Sequence, residues 1–368
     1  QAPQRPRSKH HPLLQVRDLS IAFSTADAPF LAVRHLDFDV ERGETVAIVG
    51  ESGSGKSVTS MALMRLLDYT PGRIVSGRVL FDAAQGPLDI VTAGKARIRS
   101  LRGNEISMIF QEPMTSLNPV FTVGSQIAEA LILHQSLSHG QALVQAGDML
   151  EAVRIPDARQ VLRRYPHQLS GGQRQRAMIA MALACRPRLL IADEPTTALD
   201  VTIQAQILAL IRQLQQQFGT AVIFITHDMA VVAEMADRVV VMYRGEGVEQ
   251  GGVQDVFARP AEPYTQALLA AVPRLGDLQG KALPERTPVI QLAADGSLHR
   301  TGVHEVQDTA NYAKPLLQVR GLCTRLARRF LGIHKPASLI QLRSVSVLWA
   351  KPCSRARYSR ASGVPKSL

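Results

Sequence analysis

A glycine-rich loop with the residues Gly50-Glu51-Ser52-Gly53-Ser54-Gly55-Lys56-Ser57 follows the apolar segment Thr45–Val49. Its glycines let the backbone wrap around a phosphate with the N–H groups pointing at it, and a helix starting here adds the positive end of its dipole. The Lys56 ammonium can reach the β- and γ-phosphates of a nucleotide, and the Ser57 hydroxyl can bind Mg²⁺. An ordinary Gly/Ser turn is the alternative. The apolar strand before the loop and the helix after it favour a nucleotide site, and we call residues Gly50–Ser57 the phosphate-binding loop.

Two adjacent carboxylates, Asp193 and Glu194, end the apolar segment of residues 189–192. An aspartate at a strand end near a phosphate-binding loop can hold Mg²⁺, directly or through water. The neighbouring glutamate can orient or deprotonate an attacking water. Alone, the pair is equally typical of a solvated acidic turn, and the phosphate-binding loop is what favours chemistry.

Two further polar residues, Gln111 and His227, also follow apolar segments. The imidazole of His227 could reach a γ-phosphate, although an isolated histidine is more often structural. The amide of Gln111 could contact the metal and the water. Neither residue would be interpretable without the rest of the pattern.

The segment Leu169-Ser170-Gly171-Gly172-Gln173 precedes a helix that we predict from Arg174 onward. Two glycines before a helix make a second N-terminus suited to phosphate, with the Ser170 hydroxyl as an additional donor. One nucleotide does not need two such cradles from one chain. We therefore expect them on opposite sides of the nucleotide, one from each of two cassettes; a simple helix N-cap is the alternative.

The elements that must position these residues alternate between strands and helices. Residues 13–40 contain two β-rich segments, followed by a turn at residues 41–43. The strands predicted at residues 45–49, 189–192 and 221–225 are apolar throughout, as in a parallel sheet covered on both faces. Helices are predicted at residues 56–67 and within residues 125–165. This alternation predicts an α/β domain with its ligand at the carboxyl ends of the strands.

Composition limits the class of protein. The 368 residues are 46% hydrophobic, enough for two ordinary domains with buried cores. There is no unbroken apolar run of the length a membrane span needs, and residues 1–11 lack the apolar region of a signal peptide. Cys185, Cys323 and Cys353 lie far apart, which indicates neither a disulfide framework nor a metal site and favours a reducing cytosol.

The net charge of +11 comes from one end of the chain. Residues 310–368 contain 12 Lys and Arg and no Asp or Glu, and removing these charges from +11 leaves −1 for residues 1–309. The basic character therefore does not indicate a nucleic-acid-binding main body.

Taken in order, the motifs resemble those of the ABC-transporter ATPases over roughly residues 12–275. The phosphate-binding loop resembles the Walker A motif and Gln111 the Q-loop. The Leu169–Gln173 segment resembles the signature motif, and His227 the H-switch. The Walker B motif and D-loop are matched by Leu189–Glu194 and Ala198-Leu199-Asp200.

Three other segments resemble the subgroup that imports oligopeptides, dipeptides and nickel. They are Phe110–Pro119, Tyr165–Gln168 and Pro263–Leu269, the last containing Pro-Tyr-Thr and Ala-Leu-Leu. In that subgroup the segment after Gln111 would meet the coupling helices of membrane subunits. Some members carry clustered cysteines for an iron–sulfur centre, but residues 264–322 contain none, so no such cluster is expected.

The resemblance implies a role for each site residue. Lys56 and the loop amides would bind the phosphates of ATP, while Ser57, Gln111 and Asp193 would organise Mg²⁺. Glu194 would be the catalytic base, with His227 contacting the γ-phosphate.

The remaining implied contacts involve a second cassette and the adenine. Ser170, Gly171, Gly172 and Gln173 would contact ATP held by the other cassette, and Asp200 would belong to the D-loop. Phe23 aligns with the aromatic residue that stacks on adenine, with Phe30 as its rival, since stacking requires only a flat π face.

The fold implied is an α/β P-loop NTPase core with a parallel sheet, an antiparallel β subdomain and an inserted helical subdomain at about residues 112–172. The cassette would occupy residues 12–275, after a disordered N-terminus at 1–11. A linker carrying the peptide-importer extension would occupy residues 276–314, followed at 315–368 by the start of a second cassette and a basic, disordered tail.

The implied function is that of an ATP-binding and ATP-hydrolysing subunit that drives uptake of a dipeptide, an oligopeptide or glutathione. Its cofactors would be ATP and Mg²⁺. Its partners would be a second cassette (in a homodimer or heterodimer), two integral membrane permease subunits and a periplasmic solute-binding protein, with no nucleic acid. The location would be peripheral, on the cytoplasmic face of a bacterial inner membrane. Two alternatives stay open: a soluble ABC ATPase of DNA repair or translation, and a truncated cassette that binds ATP but is inactive alone.

One internal repeat bears on the second alternative. Residues Pro12–Leu19 return as Pro315–Leu322 with seven of eight positions identical, yet no second phosphate-binding loop follows. A reading-frame shift inside a longer gene is one hypothesis for the basic, acid-free tail. The rival hypothesis is a tail that contacts anionic lipid or nucleic acid.

Overall fold

The computed structural model describes residues 11–24, 29–111, 116–196, 200–270, 289–292, 298–301, 317–325 and 339–347. The chain divides into two units, one comprising Gln1–Gln279 with Val289–Thr301 and the other Gly280–Pro288 with Gly302–Leu368. The expected disorder of the N-terminus, the first half of the Phe110–Pro119 motif after Gln111, and Ala198 and Leu199 of the D-loop lie outside the described residues.

The described part of residues 11–270 contains ten strands. They are β1 (Leu14–Phe23), β2 (Phe30–Val40), β3 (Thr45–Val49), β4 (Gly72–Ala83), β5 (Gly86–Asp89), β6 (Ile106–Ile109), β7 (Leu189–Asp193), β8 (Ala221–Ile225), β9 (Arg238–Tyr243) and β10 (Glu246–Gly252).

The described helices are α1 (Lys56–Leu63), α2 (Lys95–Leu101), α3 (Val123–Gln135), α4 (His139–Ala152), α5 (Ala158–Val161), α6 (Gly171–Leu183), α7 (Val201–Phe218), α8 (Met229–Met235), α9 (Val253–Ala258) and α10 (Pro263–Ala270). Short 3₁₀ helices occupy Leu66–Tyr69 and Pro166–Gln168.

Two sheets organise the cassette. A four-stranded antiparallel sheet has the order β2-β1-β4-β5, and a six-stranded sheet has the order β10-β9-β3-β8-β7-β6. In the larger sheet the five strands from β9 to β6 are parallel, and β10 pairs antiparallel with β9. This mixed α/β architecture confirms the predicted fold class.

The central strands are apolar throughout because both of their faces are covered. Alternate side chains of β3 enter different cores: Val46 and Ile48 pack towards the antiparallel sheet, whereas Ala47 and Val49 pack with α8, α9 and α10. Each fully buried Val or Ile side chain stabilises the fold by about 1.5–3 kcal/mol. The same alternation in β7 and β8 fixes the position of the polar residues that follow them.

A third core joins β7 and β8 to the helices α3, α4, α6 and α7. The helical periodicity in residues 125–165 is confirmed: Ile127 and Leu131 of α3 are fully buried. Both α3 and α4 begin at side-chain caps, where Thr122 accepts from Ser125 N and Ser138 from Gln141 N. These caps satisfy backbone N–H groups that have no partner within the helix.

Two predicted helix boundaries are wrong. The helix expected from Arg174 begins at Gly171, because Ser170 caps it three residues earlier than predicted. The helix expected to reach Leu67 ends at Leu63, because Arg65 adopts a left-handed φ of 55° and a 3₁₀ turn follows.

Two hairpins lie further along the chain. In the first unit β11 (Val289–Leu292) pairs with β12 (Leu298–Thr301), inside the predicted linker. In the second unit β13 (Leu317–Arg325), which covers most of the repeated segment, pairs antiparallel with β14 (Leu339–Val347). No helix among the described residues is long and apolar enough to cross a bilayer.

Candidate nucleotide site

The phosphate-binding loop connects β3 to α1 and depends on its glycines. Gly50, Gly53 and Gly55 have φ values of 148°, 83° and 100°, which other residues rarely adopt. A Cβ on Gly50 would lie 2.1 Å from the Met242 carbonyl oxygen, and one on Gly55 would lie 2.7 Å from that of Ala32. The loop therefore packs against neighbouring backbone in a way that no side chain would permit.

The Lys56 ammonium is directed into the concave side of this loop. Its Nζ donates to the Gly50 oxygen at 2.9 Å and to the Glu51 oxygen at 2.7 Å, with the Ser54 hydroxyl at 3.3 Å. Burial lowers the pKa of Lys56, and the nearby carboxylates, Glu194 first among them, oppose that shift. A buried cation bonded only to neutral oxygens is suited to exchange them for the oxygens of a multiply charged anion.

Asp193 and Ser57 meet at the base of the loop. The Ser57 hydroxyl donates to Asp193 Oδ1 at 3.2 Å, and the Ser60 hydroxyl lies 3.5 Å from Oδ2. The Asp193 side chain is almost fully buried, and this burial raises its pKa. A buried carboxylate is stabilised in its ionised form by a cation, so the pair fits Mg²⁺, which usually takes few protein ligands alongside phosphate oxygens.

Both carboxylate oxygens of Glu194 are engaged by the two polar residues found at other strand ends. Gln111 Nε2 donates to Oε2 at 2.8 Å, and His227 Nδ1 lies 3.0 Å from Oε1. Because an ionised carboxylate can only accept, the Nδ1 of His227 carries the proton in this pair. Glu194 itself takes a left-handed φ of 45°, an unusual backbone conformation found often at functional sites.

The topology explains why these three residues meet. Gln111 follows β6 and His227 follows β8, and both strands flank β7, which ends just before Glu194. The carboxyl ends of parallel strands share one edge of the sheet, where α/β proteins place their ligands. The Glu194 N–H also donates to the Ile225 oxygen at 2.9 Å, which ties the strand end to β8.

The Ser-Gly-Gly-Gln segment forms the exposed N-terminus of α6. The Ser170 hydroxyl accepts from Gln173 N at 3.3 Å, while Gln173 Oε1 accepts from Ser170 N at 3.0 Å, a reciprocal capping box. The Ser170 O–H remains available to donate. The hydrogen bonds described for Ser170 all lie within its own helix start, and none joins it to the phosphate-binding loop.

The D-loop and adenine candidates are also located. Asp200 is exposed at the N-terminus of α7 and makes no side-chain cap. Phe23 and Phe30 are directly opposed partners on β1 and β2, so their side chains share one face. Phe23 is half-buried beside Gly72, whereas Phe30 is 57% exposed.

The structure adds two residues that our sequence analysis did not place at the site. Ser60 lies one helical turn after Lys56 and approaches Asp193, which its i+4 spacing could have indicated. Tyr264, noted only as part of the Pro-Tyr-Thr motif, accepts a hydrogen bond from Glu51 N at 3.1 Å. No local sequence signal predicts that second contact across 213 positions.

Comparison with known proteins matches two family models to this chain. Residues 33–197 match the ABC transporter family, and residues 248–297 match the oligopeptide/dipeptide transporter C-terminal region. The first match spans the phosphate-binding loop, Gln111, Ser170 and Glu194, and the second contains Tyr264.

Curated relatives include the glutathione import ATP-binding proteins GsiA of Salmonella typhimurium, 56% identical over 318 residues, and of Pectobacterium atrosepticum, 57% identical over 319 residues. Each match covers 86% of this chain and 51% of the relative. The chain thus spans about half the length of these relatives.

Solved structures show the same fold. A dimeric ATP-binding cassette, MJ0796, in a post-hydrolysis state bound to ADP and Pi, is 26% identical with a TM-score of 0.58, and the match covers 65% of this chain and 98% of that cassette. The cassette cbiO1 of Clostridium perfringens, part of an ABC transporter complex, is 29% identical with a TM-score of 0.57, and the match covers 68% of this chain and 92% of cbiO1. Residues 33–197, whose motifs assemble at one sheet edge, form a cassette of the ABC transporter family.

Proposed function

We propose that this chain binds and hydrolyses ATP and that the hydrolysis drives uptake of a peptide-like solute through partner membrane subunits. The observation that carries the proposal is the position of Glu194. Its carboxylate is oriented by Gln111 and His227 at the edge of the sheet where Ser57, Asp193 and Lys56 also lie. A base, a metal-binding pair and a phosphate-binding cation therefore surround one site.

Different residues of the chain would bind the phosphates and the metal. Bound ATP and Mg²⁺ supply the phosphoryl group and the charge that neutralises it. Lys56 exchanges the carbonyls of Gly50 and Glu51 for phosphate oxygens, and Ser57 with Asp193 would hold the metal. Gln111 donates to Glu194 and would also help to hold the metal.

Glu194 is placed to take a proton from the attacking water, as the phosphorus–oxygen bond to ADP breaks and phosphate is released. With its Nδ1–H donated to Glu194, His227 donates from Nε2 to a γ-phosphate oxygen when it is the imidazolium, in which both ring nitrogens carry a proton. The two hydrogen bonds fix the carboxylate before substrate arrives, which lowers the cost of orientation. General-base catalysis of this kind contributes about 10²–10⁴-fold to a rate.

The exposed start of α6 supports a site completed by a second cassette. Ser170, Gly171 and Gly172 present an O–H and helix N-terminal N–H groups to solvent, where a phosphate held by another chain would meet them. The related cassette MJ0796 is dimeric. We propose two cassettes arranged head to tail with ATP between them, either two copies of this chain or this chain with a different one.

The solute and location are proposed from the relatives. The glutathione-import names of the curated relatives and the oligopeptide/dipeptide C-terminal region favour a dipeptide, an oligopeptide or glutathione. Two integral permease subunits and a periplasmic solute-binding protein would complete the system. The chain would lie on the cytoplasmic face of the inner membrane.

Two measurements test this proposal. ATP hydrolysis by the purified chain, measured with Mg²⁺ against protein concentration, should rise more steeply than linearly if two cassettes must meet. Co-purification with integral membrane proteins supports transport, whereas co-purification with DNA or ribosomes contradicts it. ATP binding without hydrolysis at any concentration, also in the presence of the membrane subunits, would contradict the proposed activity and favour an inactive cassette.

A further inference from the structure

A tyrosine from the far end of the cassette holds the backbone of the phosphate-binding loop. The Tyr264 hydroxyl, on α10, accepts a hydrogen bond from the Glu51 N–H at 3.1 Å. This residue lies in the region matched to the oligopeptide/dipeptide transporter C-terminal model rather than in the part matched to the ABC model. None of the catalytic roles proposed above uses it.

The contact acts on a specific peptide group. The peptide bond between Gly50 and Glu51 has its carbonyl oxygen bonded to Lys56 Nζ at 2.9 Å and its N–H bonded to Tyr264. In a planar trans peptide the C=O and the N–H point in opposite directions. Tyr264 and Lys56 therefore bind opposite edges of the same peptide plane. By holding the Glu51 N–H, Tyr264 keeps the Gly50 carbonyl turned towards the Lys56 ammonium.

The helix that carries Tyr264 is itself anchored. The carboxylate of Glu249, on β10, accepts from Ala261 N at 2.8 Å and from Glu262 N at 3.2 Å, just before α10 begins. The Tyr264 side chain is buried, and its ring centroid lies 4.3 Å from that of Tyr243. The hydroxyl is therefore presented to the loop from a packed position rather than by a mobile side chain.

A second backbone contact supports the loop on another side. Gly245 N, in the turn between β9 and β10, donates to the Ser54 oxygen at 3.1 Å. The loop is thus braced at Glu51 by α10 and at Ser54 by that turn. Of these two contacts, the one at Ser54 joins backbone atoms, whereas the one at Glu51 depends on the side chain of Tyr264 in the C-terminal region.

We propose that Tyr264 is a positioning residue for nucleotide binding, which sets the Gly50–Glu51 peptide and through it the Lys56 ammonium. This inference rests on the proposed function, because it concerns the same ATP site. It connects the C-terminal region of the cassette to the nucleotide through the phosphate-binding loop. A loop prepared in this way loses less conformational freedom when phosphate binds.

The test compares two variants of the 368-residue chain, each of which loses one tyrosine hydroxyl. The two tyrosines, Tyr264 and Tyr243, have rings in contact with each other. Tyr264→Phe removes the acceptor for Glu51 N–H and keeps the ring, and Tyr243→Phe is its control, because the structure describes no hydrogen bond from the Tyr243 hydroxyl to the loop. We expect Tyr264→Phe to bind ATP about fivefold more weakly, because ATP must then order the released loop at about the cost of one ordinary hydrogen bond. Its KM should rise by a similar factor with kcat within the range of the control.

Amide hydrogen exchange supplies a readout that does not depend on activity. Backbone amides in the phosphate-binding loop should exchange faster in Tyr264→Phe than in Tyr243→Phe, while amides of the central strands exchange equally in the two variants. Equal affinity and equal loop exchange in the two variants, with a wild type that binds ATP, would overturn the inference alone. Faster exchange throughout the cassette of Tyr264→Phe, rather than in the phosphate-binding loop, would also overturn it, because the residue would then be structural. A wild type that binds no ATP would overturn the proposed function and this inference together.

Discussion

His227 Nδ1 lies 3.0 Å from Oε1 of Glu194, and the other oxygen of the same carboxylate accepts from Gln111 at 2.8 Å. A carboxylate held at both oxygens has little rotational freedom, so its basic lone pair faces a fixed point. Under the proposed function, hydrolysis depends on Glu194, whereas nucleotide binding depends on the loop beside it. These two properties can be separated by mutation.

Glu194→Gln should abolish hydrolysis and preserve binding. The amide cannot accept a proton from water, so we expect the rate to fall at least about 100-fold, with the ATP dissociation constant changed little. Steady-state hydrolysis and equilibrium binding measure the two quantities. The control is Glu234→Gln on the exposed side of α8, which removes a charge without touching the site. A Glu194→Gln chain that hydrolyses ATP at the control rate would exclude the proposed base.

Ser170→Ala should impair catalysis beyond its effect on stability. It removes the capping box of α6, which costs about 1 kcal/mol, and it also removes the hydroxyl proposed to contact ATP held by another cassette. Ser138→Ala removes the same kind of capping box at α4, so the two variants should lose similar stability. Thermal unfolding and ATP hydrolysis should show matched melting temperatures, with lower hydrolysis in Ser170→Ala alone. Equal hydrolysis in both variants would assign Ser170 a capping role only.

Asp193→Asn should stabilise the protein in the absence of nucleotide and Mg²⁺. Burial raises the pKa of Asp193 above its ordinary value of 3.8, so the folded chain retains this proton to a higher pH than the unfolded chain. The ionised carboxylate therefore costs stability as pH rises from 3.8 through the folded pKa. The asparagine stays neutral throughout.

Melting temperatures of the two proteins should coincide at acidic pH and separate as the pH rises, by roughly 2–4 °C for each kcal/mol of burial cost removed. Added Mg²⁺ and ATP should raise the melting temperature of the wild type far more than that of Asp193→Asn. A variant that is less stable than wild type at pH 7 and equally stabilised by Mg²⁺ would contradict the assignment of Asp193.

Phe23→Leu should weaken ATP binding, because Phe23 is the proposed adenine-stacking residue. Aromatic pairs contribute about 0.5–1.5 kcal/mol beyond area burial, so we expect a loss of about threefold to tenfold. Phe30→Leu is the matched comparison, since Phe30 is the cross-strand partner of Phe23. Titration with ATP and with inorganic triphosphate separates base from phosphate recognition, and only the ATP affinity should change. A loss confined to Phe30→Leu would transfer the stacking role to that residue.

Much of the fold follows from the sequence because its central strands are apolar at every position and are therefore easy to recognise. The strands at Thr45–Val49 and Ala221–Ile225 were predicted at the bounds that the structure shows, since a strand buried on both faces is apolar at every position. The start of α6 was missed, although Ser170 and Gln173 form the spacing of a capping box. The adjacent glycines favour a loop, but the Ser170 cap stabilises the helix strongly enough to include both of them.

The sequence indicates candidate site residues but not how they are arranged. Gln111 and His227 both reach Glu194 because β6 and β8 flank β7. This strand order follows from long-range packing rather than from local sequence pattern. The contact between Tyr264 and Glu51 depends in addition on where α10 docks against β3 and β9. Neither local propensity nor motif spacing contains that information.

In the proposed function, Glu194 of one cassette and the Ser170–Gly172 segment of another complete a single ATP site. This arrangement can be tested by mixing two inactive variants, Glu194→Gln and Gly171→Asp. A side chain on Gly171 would enter open space, and a negative charge in the first turn of a helix is tolerated while it repels ATP phosphates. Each variant alone should be inactive.

In the mixture, a pair formed from one chain of each kind joins the intact Glu194 of one variant to the intact Ser170–Gly172 segment of the other. We predict that hydrolysis, measured with Mg²⁺ on the full-length chains, returns on mixing. A mixture as inactive as its components, under conditions where the wild-type chain hydrolyses ATP, would contradict the account.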